Sequence, residues 1–193
     1  LELINPYLRA SIFMQSLFLT GCFLVLENND EMMDAETGLF SAYALKRDAE
    51  VLFGNRMSSY AIAVKLQHYQ HYSMMLGMDT TNRILRELGR WLMRFEGART
   101  HIYRTGTGEF ALLLGGCTEE TASSVAQQIL NKFSGVWEFH TMRMPISVQV
   151  WMTKVPEQMK TQEQLEIFVG AEYNDRLPKD RIYLADELRE EER

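Results

Sequence analysis

His101-Ile102-Tyr103-Arg104-Thr105-Gly106-Thr107-Gly108-Glu109-Phe110-Ala111-Leu112-Leu113-Leu114 sets two apolar runs on either side of a short segment with two glycines. Apolar runs divided by such a segment read as a β-hairpin, since glycine takes the positive φ of a tight turn without a steric cost. Upstream of the hairpin, Ile84, Leu85, Leu88, Trp91, Leu92 and Phe95 share one face of a helix from Asp79 to Phe95, which Gly97 ends. Tyr60 to Leu66 (YAIAVKL) reads as a buried strand, and Leu45, Ala49, Leu52 and Phe53 form the apolar stripe of a helix from Ser41 to Phe53.

Downstream, Thr118 to Phe133 reads as a helix with Glu119 and Glu120 in its first turn, where the peptide dipoles favour anions. Ile146, Val148, Val150 and Met152 alternate with Ser147, Gln149 and Trp151, the pattern of a half-buried strand. Thr161-Gln162-Glu163-Gln164 is a capping box that opens a helix to about Asn174, and Arg181 to Leu184 is a last short strand. Helix, strand, helix, hairpin, helix, strand, helix and strand in succession predict an α/β fold around one mixed sheet.

The chain has 193 residues, enough to bury a substantial core without disulfides or metals. Its 20 Lys and Arg against 26 Asp and Glu leave a net charge of −6, which argues against a nucleic-acid binder, since phosphates demand excess cations. The 46% hydrophobic and 24% charged fractions exclude wholesale disorder. Cys22 and Cys117 are too few for a disulfide framework, and both are expected as reduced thiols. The chain starts at Leu1 and stops in the charged run Asp186 to Arg193, so a segment of a longer protein is expected.

Residues 1–30 read as an apolar signalling or membrane-proximal helix with a linker, 31–185 as the folded domain, and 186–193 as a charged tail leading toward a following domain. Ala10 to Leu26 carries no charge over 17 residues, the short limit for crossing a bilayer. No basic leader or small-residue cleavage site makes it a signal peptide. Two readings stand: the tail of a membrane span, or a signalling helix that pairs in a dimer. Within the second, the plainer alternative is a helix folded back onto the domain.

Asp34-Ala35-Glu36-Thr37-Gly38-Leu39-Phe40-Ser41 resembles the D-x-x-T-G-L-x-N motif of GGDEF domains, the diguanylate cyclases. Tyr103 to Phe110 resembles their Y-R-x-G-G-[DE]-E-F signature, with two of its five central letters changed. Lys65-Leu66-Gln67-His68-Tyr69-Gln70 sits where the family has D-x-D-x-F-K, and Lys179-Asp180-Arg181-Ile182-Tyr183 resembles its closing G-R-N-R-v-y. The resemblance runs from Asp34 to Leu184. It implies a nucleotidyl-cyclase-like α/β domain, with a central five-stranded, mostly antiparallel sheet flanked by helices and preceded by an N-terminal apolar helix.

The family joins two GTP molecules into cyclic di-GMP at the interface of two domains. That chemistry needs a divalent cation, carboxylates to hold it, and close backbone approach to the phosphates. Here the family's strand-end Asp is Lys65, its third signature residue is Gly108, and its second glycine is Thr107. Glu109 survives as the catalytic remnant beside Gly106. The guanine-recognising pair falls on Ser73 and Asn82, and Asn82 lacks the carboxylate that meets guanine's two donors. The phosphate-binding pair falls on Asp175, which opposes a triphosphate, and on Lys179, which assists one. The inhibitory product motif R-x-x-D is Gly97-Ala98-Arg99-Thr100, and is absent.

The resemblance therefore implies a degenerate module of a bacterial cyclic di-GMP signalling protein, catalytically silent and acting in regulation, GTP sensing or dimerisation. The alternatives are a residual cyclase working through Glu109, the one case that needs Mg²⁺, and a purely structural dimerisation domain. No other cofactor is expected. The implied partners are a second copy, GTP, an upstream membrane sensor and a downstream EAL phosphodiesterase, which would put the domain on the cytoplasmic side of an inner membrane. Lys65 is expected either to stand where the cation is lost and pair with Glu109, or to be a solvated strand end.

His68 and His71 at i, i+3 have no third ligand at matching spacing, and His101 and His140 read as strand or loop residues. Neither cysteine sits in a nucleophile motif. The methionines, such as Met74, Met75 and Met78, suit either an adaptable surface or helix filling.

Overall fold

The computed structural model describes residues 6–185 apart from 68, 140–141, 172, 175 and 179. Strand β1 (Ser59–Leu66) is buried along its whole length. Such a strand needs a neighbour on each edge and a layer on each face. Strands β2 (Thr100–Gly106) and β3 (Glu109–Gly115) form the expected hairpin, and β3 pairs antiparallel with β1. A satellite hairpin follows, β4 (Gly135–Phe139) with β5 (Met142–Ile146). Strand β6 (Val148–Val155) runs antiparallel to β1 on its other edge, and β7 (Ile182–Leu184) lies parallel to β6. The sheet order is β2-β3-β1-β6-β7, five strands with one parallel pair.

Side-chain alternation divides the core in two. Ile62, Val64, Phe110, Leu112, Val150 and Met152 point to one face, where they meet Ile84, Leu85 and Leu88 of α4 (Met78–Leu92) and Ala126, Ile129 and Phe133 of α5 (Glu119–Phe133). Ala61, Ala63, Ala111, Leu113 and Trp151 point to the other, under α2 (Ala42–Gly54) and α6 (Gln162–Gly170). Three alanines on that face leave room for the helices to sit close.

Three local features depart from the sequence reading. The segment after β1 forms a separate helix, α3 (Tyr69–Leu76), before α4 begins. Ile146 belongs to β5, and Ser147 separates it from β6. Helix α6 stops at Gly170 rather than near Asn174, because the buried Gln149 side chain pulls the following chain away from it. Gln149 Nε2 donates to Asn174 O at 2.7 Å and its Oε1 accepts from Asn174 N at 3.0 Å.

Helix α1 (Pro6–Met32) ends against α2, where Ser41 N donates to Met32 O at 2.9 Å. Residues 10–22 of α1 are exposed throughout, with Phe18 72% accessible, so that stretch is not folded back onto the domain. Among the described residues, no helix is long and apolar enough to cross a membrane.

Candidate functional site

The end of β1, the β2–β3 turn and the end of α6 meet on the α2/α6 side of the sheet. Lys65 lies opposite Glu109 on β3 and Gln149 on β6. Its side chain is 1% exposed and runs beneath α6. Lys65 Nζ donates to Phe168 O at 3.3 Å, to Val169 O at 3.5 Å and to Ala171 O. A helix leaves its last four carbonyls without intrahelical partners, and its carboxyl end carries partial negative charge. The ammonium of Lys65 therefore caps α6 from below. Burial pulls its pKa down to about 8, while the charge of Glu109 pulls it upward. The expected solvated strand end is thus corrected: a solvated lysine would forfeit these bonds, and the surrounding strands leave it no path to water.

The turn itself is closely filled by its own chain. The Glu109 carboxylate folds over Gly106, where an added Cβ would lie 2.5 Å from Oε2. Gly108 has φ +77°, and a Cβ there would lie 2.8 Å from the Cβ of Tyr69. Leu66 N donates to Gly108 O at 3.0 Å, which ties the turn to the end of β1. The close approach that glycine permits is used here by Glu109 and Tyr69. Thr107 sits exposed at the tip.

Beside the turn, Thr37 donates to Asp34 Oδ2 from its backbone N at 2.8 Å and from its hydroxyl at 2.6 Å. Arg104 Nη1 reaches Asp34 Oδ2 at 3.1 Å and also Glu36 Oε2. Burial raises the Asp34 pKa, but the Thr37 bonds and the Arg104 charge outweigh it and hold the carboxyl below its ordinary value. The motif from Asp34 to Ser41 is then bonded to β2 through Phe40 N to Ile102 O at 3.1 Å and Arg104 N to Phe40 O at 2.8 Å.

Ser73, near the end of α3, donates to Met78 Sδ at 3.1 Å and closes the α3–α4 corner. Asn82 follows one turn into α4, and its Oδ1 is buried with no hydrogen-bond partner. Lys179, Asp175, His68, His140 and the tail 186–193 lie outside the described residues. The structure therefore brings Lys65, Gly106, Gly108 and Glu109 together, with Thr107 at the tip of their turn and Ser73 and Asn82 on the neighbouring helices.

These residues do not fit a divalent cation. At the family's strand-end acid stands a buried ammonium held by helix carbonyls, and Gly108 brings no carboxylate. Among the described residues no group of three His, Cys, Asp or Glu is placed to hold a metal. His101 is a strand residue, with Nδ1 donating to Asp48 Oδ2 at 2.8 Å. Met74, Met75 and Met78 are 83%, 69% and 62% exposed, so they are surface and not helix filling.

Sequence reasoning missed the α6 cap and the Asp34–Arg104 contact. The first had a signal: a lysine inside an otherwise apolar buried strand must find acceptors, since a buried charge without them is costly. The second pairs residues far apart in the chain, and nothing local announces it.

A family model described as "Diguanylate cyclase, GGDEF domain" matches residues 31–169. The fold is similar to that of a sensory box/GGDEF family protein of Caulobacter crescentus, at 19% identity over 72% of this chain and 92% of that one, with TM-score 0.63. It is similar to the coiled coil and GGDEF domain of Caulobacter crescentus DgcB, solved in complex with c-di-GMP, at 12% identity over 92% and 97% of the two chains, with TM-score 0.68. Pseudomonas aeruginosa diguanylate cyclase SiaD, solved with its activator SiaC, matches at 16% identity over 93% of this chain and 72% of its own, with TM-score 0.62. No curated protein matches the chain by sequence.

Proposed function

Because the chain belongs to the GGDEF family of diguanylate cyclase domains, we propose that it is a catalytically silent regulatory module of a cyclic di-GMP signalling protein. The observation that carries this reading is Lys65. Its ammonium stands at the family's strand-end metal ligand and is held by the carbonyl end of α6. A fixed cation there repels a divalent ion, and the condensation of two triphosphates loses the charge neutralisation it depends on. Asn82 and Lys179 remain as a reduced nucleotide site that takes GTP without Mg²⁺.

Calorimetric titration with GTP, with and without Mg²⁺, tests this. The two isotherms are expected to coincide, since a cation already sits beside the turn. A gain of tenfold or more in affinity on adding Mg²⁺ would overturn the reading, and no heat in either titration would favour a dimerisation role alone.

For that role we propose α1 as the pairing element and a second copy of this chain as its partner. Ile12, Phe13, Met14, Leu17, Phe18 and Leu19 are all more than half exposed on one continuous helix. Apolar area of that extent on a helix is normally covered in solution. Leu17→Glu is expected to convert the dimer to a monomer in light scattering while leaving the circular dichroism spectrum of the domain unchanged. A wild-type monomer, or a dimer that survives the substitution, would remove α1 from the interface. For the whole protein we propose an upstream membrane sensor, a downstream EAL phosphodiesterase and a position on the cytoplasmic face of an inner membrane, as the family resemblance implies.

A further inference from the structure

A cavity of about 410 Å³ lies at the opposite end of the sheet from the glycine turn, between α2 and the β2–β3 pair. Val51, Leu52, Met57 and Leu113 form apolar walls, and Arg99 and His101 line it as well. The volume falls in the range of pockets that hold one small organic ligand.

The polar groups at this cavity are unequally committed. Asp48 is already engaged: its Oδ2 accepts from His101 Nδ1 at 2.8 Å and from the Tyr103 hydroxyl at 2.5 Å. These bonds orient the imidazole and leave Nε2 without a protein partner among the described residues. Arg99 is the opposite case. Its guanidinium lies over Gly116, where an added Cβ would meet Nη1 at 2.8 Å, and no carboxylate pairs with it among the described residues. Gly116 has φ +64°, so the position favours glycine on backbone grounds and leaves the space above it to the arginine. The cavity thus combines an apolar interior, a carboxylate already hydrogen-bonded to His101 and Tyr103, and a guanidinium with no carboxylate partner among the described residues.

From this juxtaposition we infer a binding site for a small amphipathic monocarboxylate, whose carboxylate meets Arg99 and whose apolar body fills the space against Val51, Leu52, Met57 and Leu113. A guanidinium matches a carboxylate through two parallel N–H···O bonds, which sets the orientation of the ligand. Exclusion of water by the apolar body strengthens that pair relative to one on open surface. The inference is independent of the nucleotide site, since none of these residues belongs to it.

Naphthalene-2-carboxylate, titrated against the full chain by calorimetry, is the probe. Sub-millimolar binding is expected in the wild type. Arg99→Gln should weaken it at least tenfold, and Val51→Trp should abolish it by filling the cavity. Both positions are exposed, so both variants should keep the wild-type circular dichroism spectrum. The neutral naphthalene-2-carboxamide should bind wild type and Arg99→Gln equally. Equal affinity of the carboxylate for wild type and Arg99→Gln, or binding that survives Val51→Trp, would overturn the inference. So would displacement of the probe by cyclic di-GMP, which would assign the cavity to the dinucleotide instead.

Discussion

Purified protein supplied with GTP and Mg²⁺ or Mn²⁺ is expected to form cyclic di-GMP at least about a thousandfold more slowly than a GGDEF domain whose acidic positions are intact. The loss corresponds to several kcal/mol of transition-state stabilisation, about what a bound divalent ion contributes to phosphoryl transfer. Chromatography of the reaction with mass detection reads it directly. Regrafting acids by Lys65→Asp with Gly108→Asp is expected to leave the protein inactive. At 108 the backbone sits at φ +77° with Tyr69 2.8 Å from the new Cβ, so a side chain there is strained by conformation and by contact. At 65 a carboxylate would face the carbonyl end of α6, negative against negative. Ready product formation by the unaltered protein would instead establish a residual cyclase working through Glu109.

Substitution of Lys65 is the second large effect, and it bears on stability. Lys65→Ala is expected to lower the folding free energy by about 3 kcal/mol, from the cavity left behind and the unpaired carbonyls of Phe168, Val169 and Ala171. Lys65→Met keeps most of the volume and removes the desolvated charge, so it is expected to cost much less than Lys65→Ala. The two variants also differ from wild type in pH dependence. Burial depresses the folded pKa of Lys65 from 10.5 to about 8, so within that window the unfolded chain holds the proton more firmly than the folded one. Stability contributed by this group therefore rises as pH increases through the window, by on the order of 2 kcal/mol between about pH 7 and 9.5. Urea unfolding of wild type and Lys65→Met across that range should show the rise in the first and not in the second. Parallel curves would mean that Lys65 titrates as an exposed lysine, and the buried cap would be wrong.

The elements legible in the sequence are those whose cause is local. The two apolar runs around Gly106 and Gly108 became β2 and β3. The unbroken YAIAVKL became the fully buried β1. Thr161 caps α6 as expected, its hydroxyl accepting from Gln164 N at 3.3 Å, and the structure adds a Thr118 cap on α5, its hydroxyl accepting from Thr121 N at 3.3 Å. The β4–β5 hairpin was not legible. Its described residues before Ile146 are mostly exposed, Val136 at 65%, and it is anchored by Trp137 stacking edge-on against Phe133 at 5.4 Å. That contact depends on where α5 lies, which periodicity does not encode. The end of α6 failed for the same reason, since the side chain of Gln149 on β6 holds the chain that follows the helix.

The candidate site divides along the same line. That Lys65, Gly108 and Thr107 replace residues a metal-dependent condensation needs is a matter of residue type and order, and the chain states it unaided. What Lys65 does instead is decided only when α6 is laid over the sheet. An ammonium at that point of β1 finds the unsatisfied carbonyls of a helix a hundred residues away, because strand alternation aims it at the α2/α6 face and the neighbouring alanines let the helix come near. Charge and periodicity are properties of the chain, whereas desolvation and the partners that offset it exist only where distant segments meet.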